Sequence, residues 1–387
     1  MDLIEVTRSV WGLTNEQEAL IKLCDDFATT EIRPRGHEVD EADNGSPLDL
    51  FKKAAELGLT DFMIPEEFGG GGATDLFTQC LVQERLCWGD LGIGNFLCSN
   101  GFYADPLLVL GTQEQKEKWL RPLTGTSPIL TSLATTEPNS GSDAASMTTQ
   151  AIRTEGGYLL RGQKTWISNA GYSDQYVVFA KTDPSERSKG VSAFLLTRDQ
   201  PGLSFGEPMK KMGQRAIQCR EMFFDDVFIL EENRLGLEGQ GFLGLMKTFD
   251  ASRIILAAAA IGVARAAYEY ALNYARERTQ FGKSIMEYQA VSFRLADMAC
   301  RINAAWLQTL TAATLFDQGK SVPDYAAMAK LQASETAAYC TWAAVQTLGG
   351  WGYSREFPVE QWMRDAKLEE IEEGTSDIMR LIISRNL

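Results

Sequence analysis

Apolar positions recur at helical spacing near both ends of this 387-residue chain and alternate in its middle third. Thr14-Asn15-Glu16-Gln17 reads as a capping box, a hydroxyl followed three residues on by Gln. Leu20, Leu23, Cys24, Phe27 and Ile32 then line one face of a helix. Further helices are predicted over 48–57 (ended by Gly58), 78–88 and 112–120, with a loop through Pro65, Phe68 and the glycines 69–72. From about 128 the period changes. YLLRGQKTWIS, QYVVFAKT, VSAFLLT and REMFFDDVFI are short β-rich runs, separated by turn signals at Gly156-Gly157, Asp183-Pro184 and Pro201-Gly202. They predict an antiparallel sheet or small barrel. From about 238 helical spacing returns. One stretch starting at Lys247 runs for over thirty residues without Pro, and helices are predicted over 288–318 and 325–348, the last ended by Gly349-Gly350. The order is an α+β pattern: an N-terminal helical domain (1–127), a middle antiparallel β-domain (128–237) and a C-terminal helical bundle (238–387).

Composition narrows the function classes. Hydrophobic content of 44% and charged content of 23% are ordinary for a soluble globular protein. A net charge of −15 argues against a nucleic-acid partner. Seven cysteines are dispersed without a CxxC, which points to reduced thiols. The start MDLIEVTRSV has no apolar signal region, and the longest apolar run, 254–263, is too short for a bilayer. The expectation is a cytoplasmic protein with no membrane partner. His37 is the single histidine, beside Arg33, Arg35 and Glu38, and reads as a surface residue. Three-His metal sites are excluded, no metal is expected, and acid–base chemistry falls to carboxylates, Lys, Tyr or Cys.

Gly239-Gln240-Gly241-Phe242-Leu243-Gly244 matches a dinucleotide fingerprint, but no acidic residue follows about 20 positions on and no second strand follows. It reads as a flexible entry to a long helix. Five weak signals carry more. The loop LATTEPNSGSD (133–143) offers hydroxyls and free N–H groups. KTWISNAG places Trp166 and Ser168 on one strand face. RERTQFGKSI carries Arg278 and Phe281; VQTLGGWGY and EEGTS follow. In this order and at these separations the chain resembles the acyl-CoA dehydrogenase family over its whole length, and KMGQR (211–215) is similar too.

That resemblance implies the family's fold, with a four-helix bundle as the C-terminal domain. It implies FAD as cofactor, an acyl-CoA substrate oxidised between Cα and Cβ, and an electron-transfer flavoprotein as acceptor. The base it implies is the Glu before Gly-Thr, Glu373, whose backbone N–H would polarise the thioester carbonyl. The residues agree: Ile371, Ile378 and Ile382 mark the buried phase, and Glu373 abuts Gly374, where the backbone can turn. Glu369, Glu370 and Glu372 have no breaker beside them and are expected to face solvent. A base here requires a dry pocket to raise its pKa. The family's second base position lies on the long helix, where this chain has Ser252 beside Arg253.

By the same resemblance, Leu133, Thr135, Thr136, Ser142, Trp166, Ser168, Thr375 and Asp377 match flavin-contacting positions. Arg278, Phe281, Gln289, Gln346, Gly349 and Gly350 match positions that reach a neighbouring subunit's FAD, implying a homo-oligomer, a tetramer. Ser142, Asp250, Arg253 and Gly374 match acyl-CoA contacts; a helix-surface ion pair is the other reading of Arg253. Departures from the family pattern are Asn139 and Ser140 in the loop, Asp377, and Glu372 where straight-chain enzymes place Tyr. A charge at 372 argues against a straight-chain, medium-length substrate. The alternative is a same-fold oxidase or monooxygenase using oxygen, whose members generally lack the base Glu.

Overall fold

The computed structural model describes residues 3–43, 45–385 and 387. Its N-terminal helices are α1 (Leu3–Trp11), α2 (Asn15–Phe27), α3 (Gly36–Ala42), α4 (Leu48–Glu56), α5 (Leu76–Gly89), α6 (Leu91–Leu97), α7 (Asn100–Leu110) and α8 (Gln113–Leu120). The capping box forms at α2: the Gln17 N–H donates to Thr14 Oγ1 at 3.1 Å, and the Thr14 N–H donates to Gln17 Oε1 at 3.0 Å. Hydrophobic spacing does not mark α6 and α7. Every residue of α6 is buried, so it has no polar face to set a phase, and α7 carries Pro106 in its interior.

The middle of the chain folds into one sheet of β1 (Thr131–Ala134), β2 (Gln150–Thr154), β3 (Gly157–Ser168), β4 (Gln175–Lys181), β5 (Val191–Thr197), β6 (Leu203–Phe205), β7 (Cys219–Leu230) and β8 (Arg234–Leu235). The order is β6-β7-β3-β2-β4-β5-β8, with β1 beside β4. Pairing is antiparallel along most of this path; β1 runs parallel to β4, from Thr131 opposite Gln175 to Ala134 opposite Val178, and β2 meets β4 in parallel at one residue pair. β4 is buried on both faces. Val177 and Phe179 pack into the core shared with the N-terminal helices, while Tyr176, Val178 and Ala180 pack on the opposite side, as the two-residue period of a strand requires. β3 and β7 lose register between Lys164 and Ile167, and at this bulge Trp166 adopts a φ of 60°.

The C-terminal helices are α9 (Gly241–Glu277), α10 (Gln289–Asp317), α11 (Pro323–Leu348), α12 (Val359–Glu369) and α13 (Ser376–Ser384). A short hairpin, β9 (Thr279–Gln280) and β10 (Lys283–Ser284), follows α9. α5, α9, α10 and α11 share one core, rich in alanines that let the helices approach closely. α9 is long and apolar enough to cross a membrane by length and composition, but most of its apolar stretch is buried inside the protein, as in a core helix. The glycines that open α9 pack tightly instead of supplying flexibility. A Cβ at Gly241 would stand 2.6 Å from the Ser192 carbonyl carbon, and one at Gly244 would stand 2.4 Å from Leu110 Cδ1.

Candidate active site

The turn between α12 and α13 holds Glu373 and Gly374 in successive left-handed conformations, with φ of 49° and 107°. A non-glycine residue adopts this backbone at a cost, and such residues persist where neighbours over-determine them. Arg253 Nε donates to the Glu373 carbonyl at 3.0 Å, Lys330 Nζ to the Gly374 carbonyl at 2.8 Å, and the Ser376 N–H to the Glu370 carbonyl at 3.0 Å. Thr375 caps α13 by accepting from the Ile378 N–H at 3.2 Å. A Cβ at Gly374 would stand 2.6 Å from Met379 Cε, so the methionine would have to move, and the φ of 107° disfavours any side chain.

The Ser252 hydroxyl of α9 donates to Glu373 Oε2. Burial pushes the Glu373 carboxyl up to about 7, against the pull of the Ser252 hydroxyl and the Arg253 charge, with Glu372 adding to the rise. A carboxylate that ionises near neutrality is suited to general-base work. Arg253 is buried and spends its Nε on the turn, with Asp250 3.8 Å from its Nη1. It is therefore not the helix-surface ion pair that its sequence position allows.

Three expectations about this segment fail. Glu369 is only 1% exposed, and its Oε1 accepts from Gln214 Nε2 at 2.9 Å. Glu372 does not project to solvent either; its Oε1 is buried, and burial, followed by the charge of Glu369, raises its carboxyl well above the usual range. Burial therefore works against a charge at position 372. Ile371 is 51% exposed, while Met379 is the buried residue, because the left-handed turn breaks the helical phase that would bury Ile371. Glu370 does pair with an exposed lysine, Lys367, at 2.7 Å. Sequence reasoning also missed Asp105 on α7, which burial and then the Glu373 charge raise to about 7. Lys330, which holds the turn, was missed as well. Neither lies in a motif.

The 133–143 loop is anchored by an ion pair. Buried Glu137 accepts from the Thr148 and Thr149 N–H groups at 2.6 and 2.9 Å and from Lys164 Nζ at 2.8 Å. Burial works to raise the Glu137 carboxyl, but Lys164 and the donors prevail and hold it at about 2. Burial wins at Lys164, which falls to about 8. Leu133 lies half-buried on β1, Thr136 accepts through its carbonyl from the Thr165 N–H at 2.9 Å, and Ser142 is exposed. The Thr135 hydroxyl is buried and meets no protein partner. Trp166 is 57% exposed and shares its strand face with exposed Ser168, with Ile167 buried between them. Ser168 is in register with Cys219 of β7, which lies within electrostatic reach of Glu372. The base-bearing turn and the end of β3 thus lie within electrostatic reach of one another. Asp377 is exposed on α13, with Arg380 3.8 Å away.

A second cluster sits elsewhere. Arg278 ends α9, Phe281 protrudes from the β9–β10 hairpin, Gln289 starts α10, and Gln346 lies exposed near the end of α11. Arg278, Gly349 and Gly350 line a cavity of about 530 Å³ with Tyr274, Ile285 and Trp351. On α11, Lys330 and Gln346 lie 346 − 330 = 16 residues apart, about 24 Å of helix at about 1.5 Å per residue. The lysine that holds the Glu373 turn and the second cluster therefore lie well apart along α11.

Residues 14–126, 132–227 and 239–387 match the models of the acyl-CoA dehydrogenase N-terminal, middle and C-terminal domains. An acyl-CoA dehydrogenase of Bacillus subtilis (strain 168) is 40% identical over 376 residues, 97% of this chain and 98% of the relative. Butyryl-CoA dehydrogenase from Megasphaera elsdenii superposes with a TM-score of 0.93 at 39% identity, covering 97% of this chain and 98% of that one. A chain in a structure of the electron transferring flavoprotein of Acidaminococcus fermentans gives 0.93 at 40% identity, covering 97% and 98%. PigA with FAD and proline gives 0.92 at 32% identity, covering 97% and 98%.

Proposed function

The chain belongs to the acyl-CoA dehydrogenase family, and on that premise we propose that it converts an acyl-CoA thioester to the 2-enoyl-CoA, with Glu373 as the base for the α-proton. The observation that carries this reading is the Glu373 turn. Its left-handed backbone is fixed by Arg253 and Lys330, and its carboxyl is tuned by burial to ionise at about 7. Ser252 occupies Oε2, which leaves Oε1 to take the proton. The fixed backbone means that this oxygen reaches its working position without a search, the advantage of a pre-organised group. The Glu373 N–H is the donor proposed for the thioester carbonyl, where negative charge develops as the proton leaves.

The residues present fit FAD. The buried Thr135 hydroxyl lacks a protein partner, Trp166 offers an exposed indole beside Ser168, and Gly349 and Gly350 leave open space beside Arg278. Bound FAD supplies the acceptor for the β-hydride. Thr135, Thr136, Trp166 and Ser168 would hold the end nearest Glu373. Arg278, Gln346, Gly349 and Gly350 form a separate cluster by the end of α11 and would hold part of the FAD of a neighbouring copy. That division of the site supports a homo-oligomer, a tetramer by family resemblance. An electron-transfer flavoprotein is the proposed acceptor, in line with the likeness to the Acidaminococcus chain. The test is an anaerobic panel of acyl-CoAs, straight, branched and cyclic, scored by bleaching of the bound flavin. Bleaching by butyryl-CoA or another member supports the reading; a yellow, folded protein that none of them bleaches refutes it.

A further inference from the structure

Beside the base lies a pair of carboxyl groups to which the reaction assigns no part. Glu369 closes α12, and its Oε1 accepts from Gln214 Nε2 at 2.9 Å and from Asn95 Nδ2 at 3.5 Å. Its Oε2 is buried and accepts from no protein donor. Glu372, three residues on, has its Oε1 in the same condition. The two side chains lie within hydrogen-bonding reach of one another. Two ionised carboxylates so placed would repel in a water-poor site, whereas one proton between them turns the contact into a charge-assisted O–H···O bond. The groups around the pair come from several elements: Lys330 on α11, Lys211 in the loop before β7, the Cys219 thiol on β7, the Cys87 thiol on α5 and Glu373 itself. Gln214 and Asn95 aim their amide N–H groups at Glu369, which makes Glu369 the better-solvated partner and the natural seat of the negative charge.

We propose that Glu369 and Glu372 share one proton, carried on Glu372, and that this pair is a positioning element that keeps the residue next to the base uncharged. It rests on the reading of Glu373 as base. Glu369 then holds the pair's negative charge within electrostatic reach of Lys330, and no second charge stands at 372 beside Glu373 as it ionises.

The test is the pH profile of flavin reduction by butyryl-CoA in the holoenzyme, compared with Glu372→Gln and Glu369→Gln. Gln at 372 keeps a neutral donor toward Glu369, so the acid limb holds its position whatever happens to the maximal rate. Gln at 369 removes the pair's negative charge while burial still opposes ionisation of Glu372, so that variant alone moves the acid limb down. If both glutamates are ionised, each variant removes a negative charge and both limbs move down; that result overturns the proposal. Difference infrared spectroscopy gives a readout independent of turnover. On a Glu373→Gln background, Glu372→Gln must remove a protonated-carboxyl stretch that shifts in D2O, and an unchanged band overturns the shared proton. Normal bleaching in Glu373→Gln would instead remove the base and leave the infrared result standing.

Discussion

Replacing Glu373 by Gln is expected to stabilise the folded protein at alkaline pH. The carboxyl ionises at 4.5 in the unfolded chain and at about 7 in the folded one. Between those values the folded protein keeps the proton that the unfolded chain has released, so stability falls as pH rises through this window. Above about 7 the full loss is present. The displacement amounts to about 3.4 kcal/mol at about 1.36 kcal/mol per pH unit. The turn is partly exposed, and solvent screening brings the expected effect nearer to about 2 kcal/mol. Gln cannot ionise, yet its carbonyl still accepts from Ser252. Urea unfolding of wild type and variant, at matched protein and cofactor concentrations, measures the difference. At about pH 4, below the unfolded value, the two should nearly coincide, and at about pH 8.5 the variant should be more stable by about 2 kcal/mol. An equal gain at both pH values, or none at the higher, would show that the folded site does not disfavour the charged carboxylate, and the tuning argument would fail.

Other outcomes follow from the same contacts. Ser252→Ala removes a hydroxyl that favours the ionised base, so the acid limb of the flavin-reduction profile should move to higher pH; a shift downward, or none, counts against the contact. Gly374→Ala, at a φ of 107° and in contact with Met379, should lower stability by about 1–3 kcal/mol and slow flavin reduction, measured by urea unfolding and anaerobic stopped-flow. Lys164→Met strands the buried Glu137 charge and should cost about 3–5 kcal/mol of stability, with weaker retention of FAD on gel filtration.

Local signals were readable from the chain because their partners are near in sequence. The Thr14 box needs only Gln17, and the Glu-Gly-Thr-Ser string announces the turn at Glu373. β3, β4, β5 and β7 follow from β-rich runs between turn residues. What escaped depends on distant segments. Glu369 looks like one glutamate in a solvated run, and only Gln214 and Asn95, 155 and 274 residues away, show that it is buried. Ser252 stood out for lacking a carboxylate, and its contact lies 121 residues on, at Glu373. Helices such as α6, buried on every side, have no polar stripe to read. The parallel addition of β1 to β4 is likewise a matter of chain return, to which residue alternation is blind.

The most direct measurement is anaerobic flavin bleaching by butyryl-CoA, or by another acyl-CoA that bleaches the wild type, in Glu373→Gln. The variant should remain yellow, bind the acyl-CoA, and reduce its flavin at least about a hundredfold more slowly than wild type, the range expected when a positioned base is removed. Bleaching within a few-fold of wild type would contradict the role given to Glu373 and, with it, the central claim.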